Sequence, residues 1–281
     1  MFKVSLSAKV STGLDLLKSL GLTAEASMAD RLDDIEEYAD VLVSAHAPAS
    51  KDDLRLNVAA TDVQFRRESI DYITQYIARA SKYPKVKQVN IHFAPRRWVE
   101  DKQTRGQEGK YGLMIDAARE ISEFAGHRGI EIVMENATAK WTGIEDDVAA
   151  DQVDWSDRNM YFGTAPEEWI QICTDVDRSN VGLCLDSSHV CTYAQLFSGD
   201  SKREQVALSF LDRPDLIRHV HWSDNYLYDP RGRNDSHLSV GMGTMPIEMH
   251  RRIKRLNATF LLEHFYTVEE LKTELEYIEH L

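Results

Sequence analysis

The stretch Val181-Gly182-Leu183-Cys184-Leu185-Asp186-Ser187-Ser188-His189 joins an unbroken apolar run to an acid and a histidine. Such a run suits a strand buried on both faces of a parallel sheet, since an alternating pattern would leave one face wet. The same design recurs along the chain. Strands are expected at 2–6, 23–27, 40–44, 86–91, 130–134, 181–185, 217–220 and 260–262. Between them lie amphipathic stretches. In 111–125, Leu113, Met114, Ala117, Ala118, Ile121 and Phe124 recur at three- and four-residue steps, with Asp116, Arg119, Glu120 and Glu123 opposite. Helices are likewise expected at 68–80 and 268–278. Eight strands alternating with helices over 281 residues are enough to close one (β/α)8 barrel.

No Pro/Gly/Ser linker divides the chain, so residues 1–281 read as a single domain. The long irregular stretch 137–167 carries Trp141, Trp155, Tyr161 and Phe162. It follows a strand, and its aromatics predict an ordered lid over the C-terminal face of the barrel.

From the third strand on, each strand end carries an acid or an imidazole. His46 closes Val-Ser-Ala-His, His92 closes Val-Asn-Ile-His, and Glu135 closes Ile-Val-Met-Glu. Asp186 comes next with His189, then His221, followed by Asp235-Ser-His237, and finally Glu263 in Phe-Leu-Leu-Glu. A closed barrel brings the ends of its strands to one mouth. Nine imidazoles and carboxylates crowded there require a cation, because an unpaired buried carboxylate is costly. Mixed nitrogen and oxygen ligands suit Zn, Mn, Fe or Co. His219, two residues before His221, is expected one layer below the mouth, and His264 on the opposite side of its strand. His127 and His250 read as surface residues, and His280 is terminal.

These residues resemble the xylose-isomerase-like TIM-barrel superfamily, which holds sugar isomerases and epimerases and also endonuclease IV. The most specific matches are Asp186-x-x-His189, His221-x-x-Asp224 and Asp235-x-His237-x-x-x-Gly241-x-Gly243. In the isomerase branch the resemblance implies a divalent ion (Zn, Mn, Co or Mg) held by Glu135, Asp186, His221 and Glu263. Glu135 and Glu263 would also move protons at neighbouring carbons of an open-chain sugar, sugar acid or sugar phosphate, through an enediolate. His46, His92, His189, Asp235 and His237 would be additional ligands. Asp224, Arg96, Arg231 and Trp141 would contact substrate.

In the endonuclease IV branch all nine positions would hold three zinc ions for cleavage of abasic DNA. This chain departs from that branch at Ser11-Thr12-Gly13 and at Ala49-Ser50, where a Gly-Gly element and an apolar wedge into the DNA stack are expected. The net charge of −13, from 33 basic and 46 acidic residues, also weighs against a phosphate-backbone partner. A lyase using the same enolate chemistry, or a barrel that has lost catalysis, is the remaining alternative. No run is long enough to span a bilayer. Cys173, Cys184 and Cys191 form no CxxC pair and read as reduced core residues of a cytoplasmic chain. A homo-oligomer is compatible with such a barrel.

Overall fold

A computed structural model describes residues 6–99, 108–264 and 267–281. Eight parallel strands close a barrel: β1 (Leu6–Lys9), β2 (Thr23–Ala26), β3 (Leu42–His46), β4 (Gln88–His92), β5 (Glu131–Glu135), β6 (Val181–Asp186), β7 (Ile217–Trp222) and β8 (Thr259–Leu262). Each strand pairs with its sequence neighbours, and β8 pairs with β1 to complete the ring. Around it stand α1 (Leu14–Leu20), α2 (Val63–Ala80), α3 (Tyr111–Gly126), α4 (Pro166–Val176), α5 (Ser187–Ala194), α6 (Asp200–Ser209), α7 (Ile247–Lys254) and α8 (Val268–His280). Among the described residues, no helix is long and apolar enough to cross a membrane.

The differences from the expected boundaries have local causes. Of the strand expected at 2–6, residues 2–5 lie outside the described residues. The third strand starts two residues late, because Val41 N–H closes a turn on the Tyr38 carbonyl at 2.8 Å. Helix α2 begins before residue 68 because Asp62 caps it, accepting the Phe65 N–H at 2.9 Å. The three cysteines are buried and unbridged.

Strand register positions the mouth. His92 on β4 lies beside Glu135 on β5, and Asp186 on β6 lies beside His221 on β7. Parallel neighbours in register point equivalent side chains to the same side, so these four groups share the inside of one rim. The segment 137–167 is fastened at several points. Trp141 is buried, donates Nε1–H to the Thr192 carbonyl at 2.9 Å and meets Trp155 edge-on at 5.1 Å. Arg233 donates to the carbonyls of Glu145 and Val148 at 2.9 and 2.7 Å. Met160–Tyr161 pairs antiparallel with Pro95–Arg97.

Candidate metal centre

Asp186 shows how a local motif aims a ligand. It is the N-cap of α5, and its Oδ1 accepts N–H bonds from Ser188 at 2.8 Å and His189 at 3.1 Å. The cap fixes the carboxylate plane and leaves Oδ2 buried with no hydrogen-bond partner. Asn136 secures the same corner, accepting the Asp186 N–H at 2.7 Å and donating to its carbonyl at 3.0 Å. The Asn136 carbonyl accepts His189 Nδ1–H at 2.7 Å. This bond sets the His189 tautomer and turns Nε2 toward Asp235 Oδ2, 3.1 Å away, and Asp186 Oδ2, 3.5 Å away.

All nine side chains expected at the strand ends converge. Glu135 Oε2 lies 3.1 Å from His46 Nε2, 3.6 Å from His92 Nε2 and 3.7 Å from His221 Nδ1. His46 donates Nδ1–H to the Ala47 carbonyl at 3.0 Å, which leaves its Nε2 facing His92 Nε2 at 3.1 Å. His237 Nε2 stands 2.9 Å from Asp235 Oδ1 and 3.9 Å from Asp186 Oδ2. Its backbone sits at φ 42°, a strained value for a residue with a side chain. Glu263 Oε2 is 2.6 Å from His221 Nδ1 and 3.9 Å from His237 Nδ1.

The donor set fits divalent cations. The atoms fall into groups of ligand distance: His46, His92 and Glu135; Glu135, Asp186 and His221; and Asp186, His189, Asp235 and His237, each within 4.8 Å. Ligand atoms about 2.1 Å from a tetrahedral ion are spaced roughly 3.4 Å apart, the spacing seen here. Two atoms at the mouth, Asp186 Oδ2 and His237 Nδ1, are buried without hydrogen-bond partners among the described residues. Orphaned lone pairs of this kind are what an ion satisfies.

Electrostatics agree. Burial alone would raise the Glu135 carboxyl, but His92, His221 and His46 hold it well below the ordinary value. Glu263 is drawn down to about 2, since His221 and His237 outweigh its burial. Asp186 is pushed up to about 6 by burial, which its imidazole neighbours only partly offset. Burial opposes charge on His237, yet Asp186 and Asp235 lift it to about 9. His189 is raised well above its ordinary value by the same two acids against burial.

A nitrogen must shed its proton before it binds a metal, so protons on His189 and His237 compete with the ion. Apparent metal affinity therefore rises with pH toward about 9. Calorimetry near pH 7, in buffers of differing ionisation enthalpy, is expected to read net release of more than about one proton per chain. An affinity flat between about pH 6.5 and 8.5 would remove these two imidazoles from the ligand set.

Beneath the mouth lies a layer that strand-end reasoning missed. Glu25 on β2 is buried and accepts from Ser44 Oγ at 2.5 Å, His219 Nε2 at 2.9 Å and His221 Nε2 at 3.1 Å. It thereby turns His221 Nδ1 up toward the mouth, the carboxylate–imidazole arrangement that orients metal ligands. His219 is one layer down, as expected. Asn90 donates Nδ2–H to Glu135 Oε2, and Lys9 Nζ lies 3.5 Å from Glu263 Oε1.

The four residues expected to contact substrate are each held by protein partners, with Trp141 lining a cavity beside Asp235 and Arg96 an adjoining one. Asp224 is buried in loop structure, accepting N–H bonds from Asn225 at 2.8 Å, Gly241 at 3.0 Å and Met245 at 3.2 Å. Its remaining partner is His250 Nε2 at 3.2 Å, so His250 is a core residue and not a surface one. Gly241 adopts φ 90°, and Gly243 packs so closely on the Asn225 carbonyl that a Cβ would displace it. Both glycines shape this loop. Arg96 pairs with Glu168 and lies 4.5 Å from the Phe162 ring centroid, which fastens the insert. Arg231 is held by Asp229 at 2.8 Å and stacks on Tyr226 at 3.7 Å. Trp141 is the buried pin described above.

Known structures of similar shape give the barrel context. A D-tagatose 3-epimerase-like protein aligns at 19% identity over 98% of both chains, with a TM-score of 0.66. D-psicose 3-epimerase from Clostridium cellulolyticum H10, solved with D-tagatose, aligns at 12% identity over 98% of both chains, with a TM-score of 0.65. The IolI protein, solved with a bound zinc atom, aligns at 18% identity over 98% of this chain and 94% of its own, with a TM-score of 0.61. At these identities the likeness is one of fold. No curated protein matches the sequence. The family described as xylose isomerase-like TIM barrel matches residues 14–281, from the first helix to the last residue, and the chain belongs to that family.

Proposed function

We propose that this protein is a divalent-metal-dependent isomerase or epimerase acting on a small sugar, sugar acid or sugar phosphate. The observation that carries the reading is the pair Glu135 and Glu263, whose Oε2 atoms approach the same His221 nitrogen at 3.7 and 2.6 Å. Asp186 and His221 complete the set that would hold the ion. When bound, the cation would polarise adjacent carbonyl and hydroxyl oxygens and acidify the proton between them.

The protein's own groups supply the rest. Both glutamates are ionised near neutral pH, so either can take the proton from the tetrahedral carbon, and the other, once it has taken up a proton from solvent, can return one to the opposite face of the planar carbon that results. Lys9 beside Glu263, and Asn90 beside Glu135, hold each carboxylate in one orientation. Fastened as it is by Trp141 and Arg233, the segment 137–167 would keep water from the reacting carbon. The fold shared with a solved D-psicose 3-epimerase and a D-tagatose 3-epimerase-like protein supports the reading, and zinc in the IolI structure supports the metal. A cytoplasmic enzyme with a small-molecule partner follows from it.

The direct test loads the protein with Mn, Co, Zn or Mg in turn and follows wash-in of solvent deuterium at the carbon next to the carbonyl of ketoses by NMR. Metal-dependent exchange with epimer formation is expected. One observation favours a second reading, phosphodiester cleavage: five further ligands form two additional groups around the first. Three zincs per chain with nicking of abasic duplex, and no exchange into any ketose, would replace the isomerase.

A further inference from the structure

Two cations stand beside this centre without a direct ion pair among the described residues. The Arg55 guanidinium lies 5.3 Å from the Tyr161 ring centroid and 5.7 Å from that of Trp98. Lys140 Nζ lies 5.5 Å from the same Tyr161 ring. Both side chains are half-buried, and neither forms an ion pair among the described residues. The neighbouring arginines differ, since Arg96, Arg97 and Arg231 each face an acid, Glu168, Asp157 and Asp229.

Their position is specific. Arg55 lines a narrow cleft with His92. Lys140 shares a cavity of about 360 Å³ with Asp235. On its other side it borders one of about 600 Å³ walled by Tyr161, Trp155, Tyr193 and Phe197. Each cation thus lies near a candidate ligand, Arg55 near His92 and Lys140 near Asp235, and both stand beside the Tyr161 ring. Burial, followed by repulsion from Arg55, holds the Lys140 ammonium below its ordinary value, and attraction from Asp235 only partly offsets them. Partly desolvated like charges in this relation are unfavourable until an anion joins them.

We infer that Arg55 and Lys140 form the subsite for a phosphomonoester on the substrate, beside the Tyr161 ring. Two positive charges match the dianion, and a carboxylate would leave one of them unmatched. Guanidinium supplies a planar fork and ammonium a point charge, both suited to phosphate oxygens. The rings of Trp98 and Tyr161 hold the guanidinium in place. The inference rests on the isomerase reading only for the carbon skeleton that carries the phosphate.

The test uses alditols, which have no carbonyl and cannot react. Calorimetry of the manganese-loaded protein is expected to show glucitol 6-phosphate binding at least about 30-fold more tightly than glucitol, as charge-assisted bonds to two cations require. In R55Q/K140Q the preference is expected to fall below about threefold with unchanged metal content, while K140R keeps most of it. Equal affinities in the native protein would overturn the inference. A preference surviving in the double variant would do the same, by placing the phosphate on the metal. Gluconate binding as tightly as glucitol 6-phosphate would overturn the assignment to phosphate. Each outcome is independent of turnover: failed deuterium exchange with ketoses leaves this test intact, and lost anion preference leaves the isomerase reading intact.

Discussion

Glu135→Gln is expected to empty the metal centre and remove activity together. Glu135, like Asp186, belongs to two of the candidate ligand groups: its Oε2 faces His46, His92 and His221, and its Oε1 lies 3.4 Å from His189 Nδ1. Glutamine keeps one acceptor oxygen and turns a donor toward the other group. Loss of an outer partner of a metal ligand costs about 10–100-fold in affinity, so loss of this shared ligand should exceed about 100-fold. Turnover should fall at least as far, because the same carboxylate is the proposed proton acceptor. The fold should survive, since glutamine keeps the size of the side chain and one acceptor oxygen among the same imidazoles. Metal analysis after gel filtration, alongside circular dichroism, checks both. A folded variant with native metal content and native turnover would sink the role given to Glu135.

Glu25→Ala is expected to have the largest effect on stability. Glu25 is the shared acceptor of His219 and His221 in a layer without access to solvent. Removing one partner of a buried pair costs about 3–5 kcal/mol, because the group left behind stays buried and unpaired. Metal affinity should drop a further 10–100-fold or so, since His221 loses the bond that orients its Nδ1. Thermal unfolding and metal titration read the two effects separately.

The pH sign follows from the same pairings. Burial would raise the Glu25 carboxyl, but His219 and His221 hold it well below its ordinary value of 4.5. A carboxyl depressed by folding contributes stability that is complete above its unfolded pKa and lost as pH falls through the folded one. Native protein should therefore lose stability on acidification below about pH 4.5, and Glu25→Ala should show less of that loss. Equal acid sensitivity in the two proteins would show that Glu25 does not carry it.

Much of the centre was legible in the chain because its code is local. Each of His46, His92, Glu135, Asp186, His221 and Glu263 ends an apolar run or stands directly after it, and an acid or imidazole there has no ordinary structural reason. The Asp186-x-x-His189 spacing is likewise local, one N-cap and the third residue of its helix. Glu25 was hidden because Thr23-Ala24-Glu25-Ala26 is short and weakly patterned, and its partners lie 194 and 196 residues away. Asp224 looked like a substrate contact by its spacing from His221, yet the loop through Gly241 and Met245 folds back and claims its oxygens. Arg96 and Arg231 were plausible anion grips until tertiary neighbours, Glu168 and Asp229, took their charge, while Arg55 and Lys140 had no signal in sequence at all.

By itself the sequence determined the barrel and the acids and imidazoles gathered at its mouth, because strand periodicity and the residue ending each strand are set by neighbours along the chain. Only the tertiary structure decided which lone pairs are free, which acids are spent inside loops and which cations are left unmatched. Those outcomes depend on side chains meeting across a closed ring, and closure joins residues whose separation along the chain carries no information about their contact.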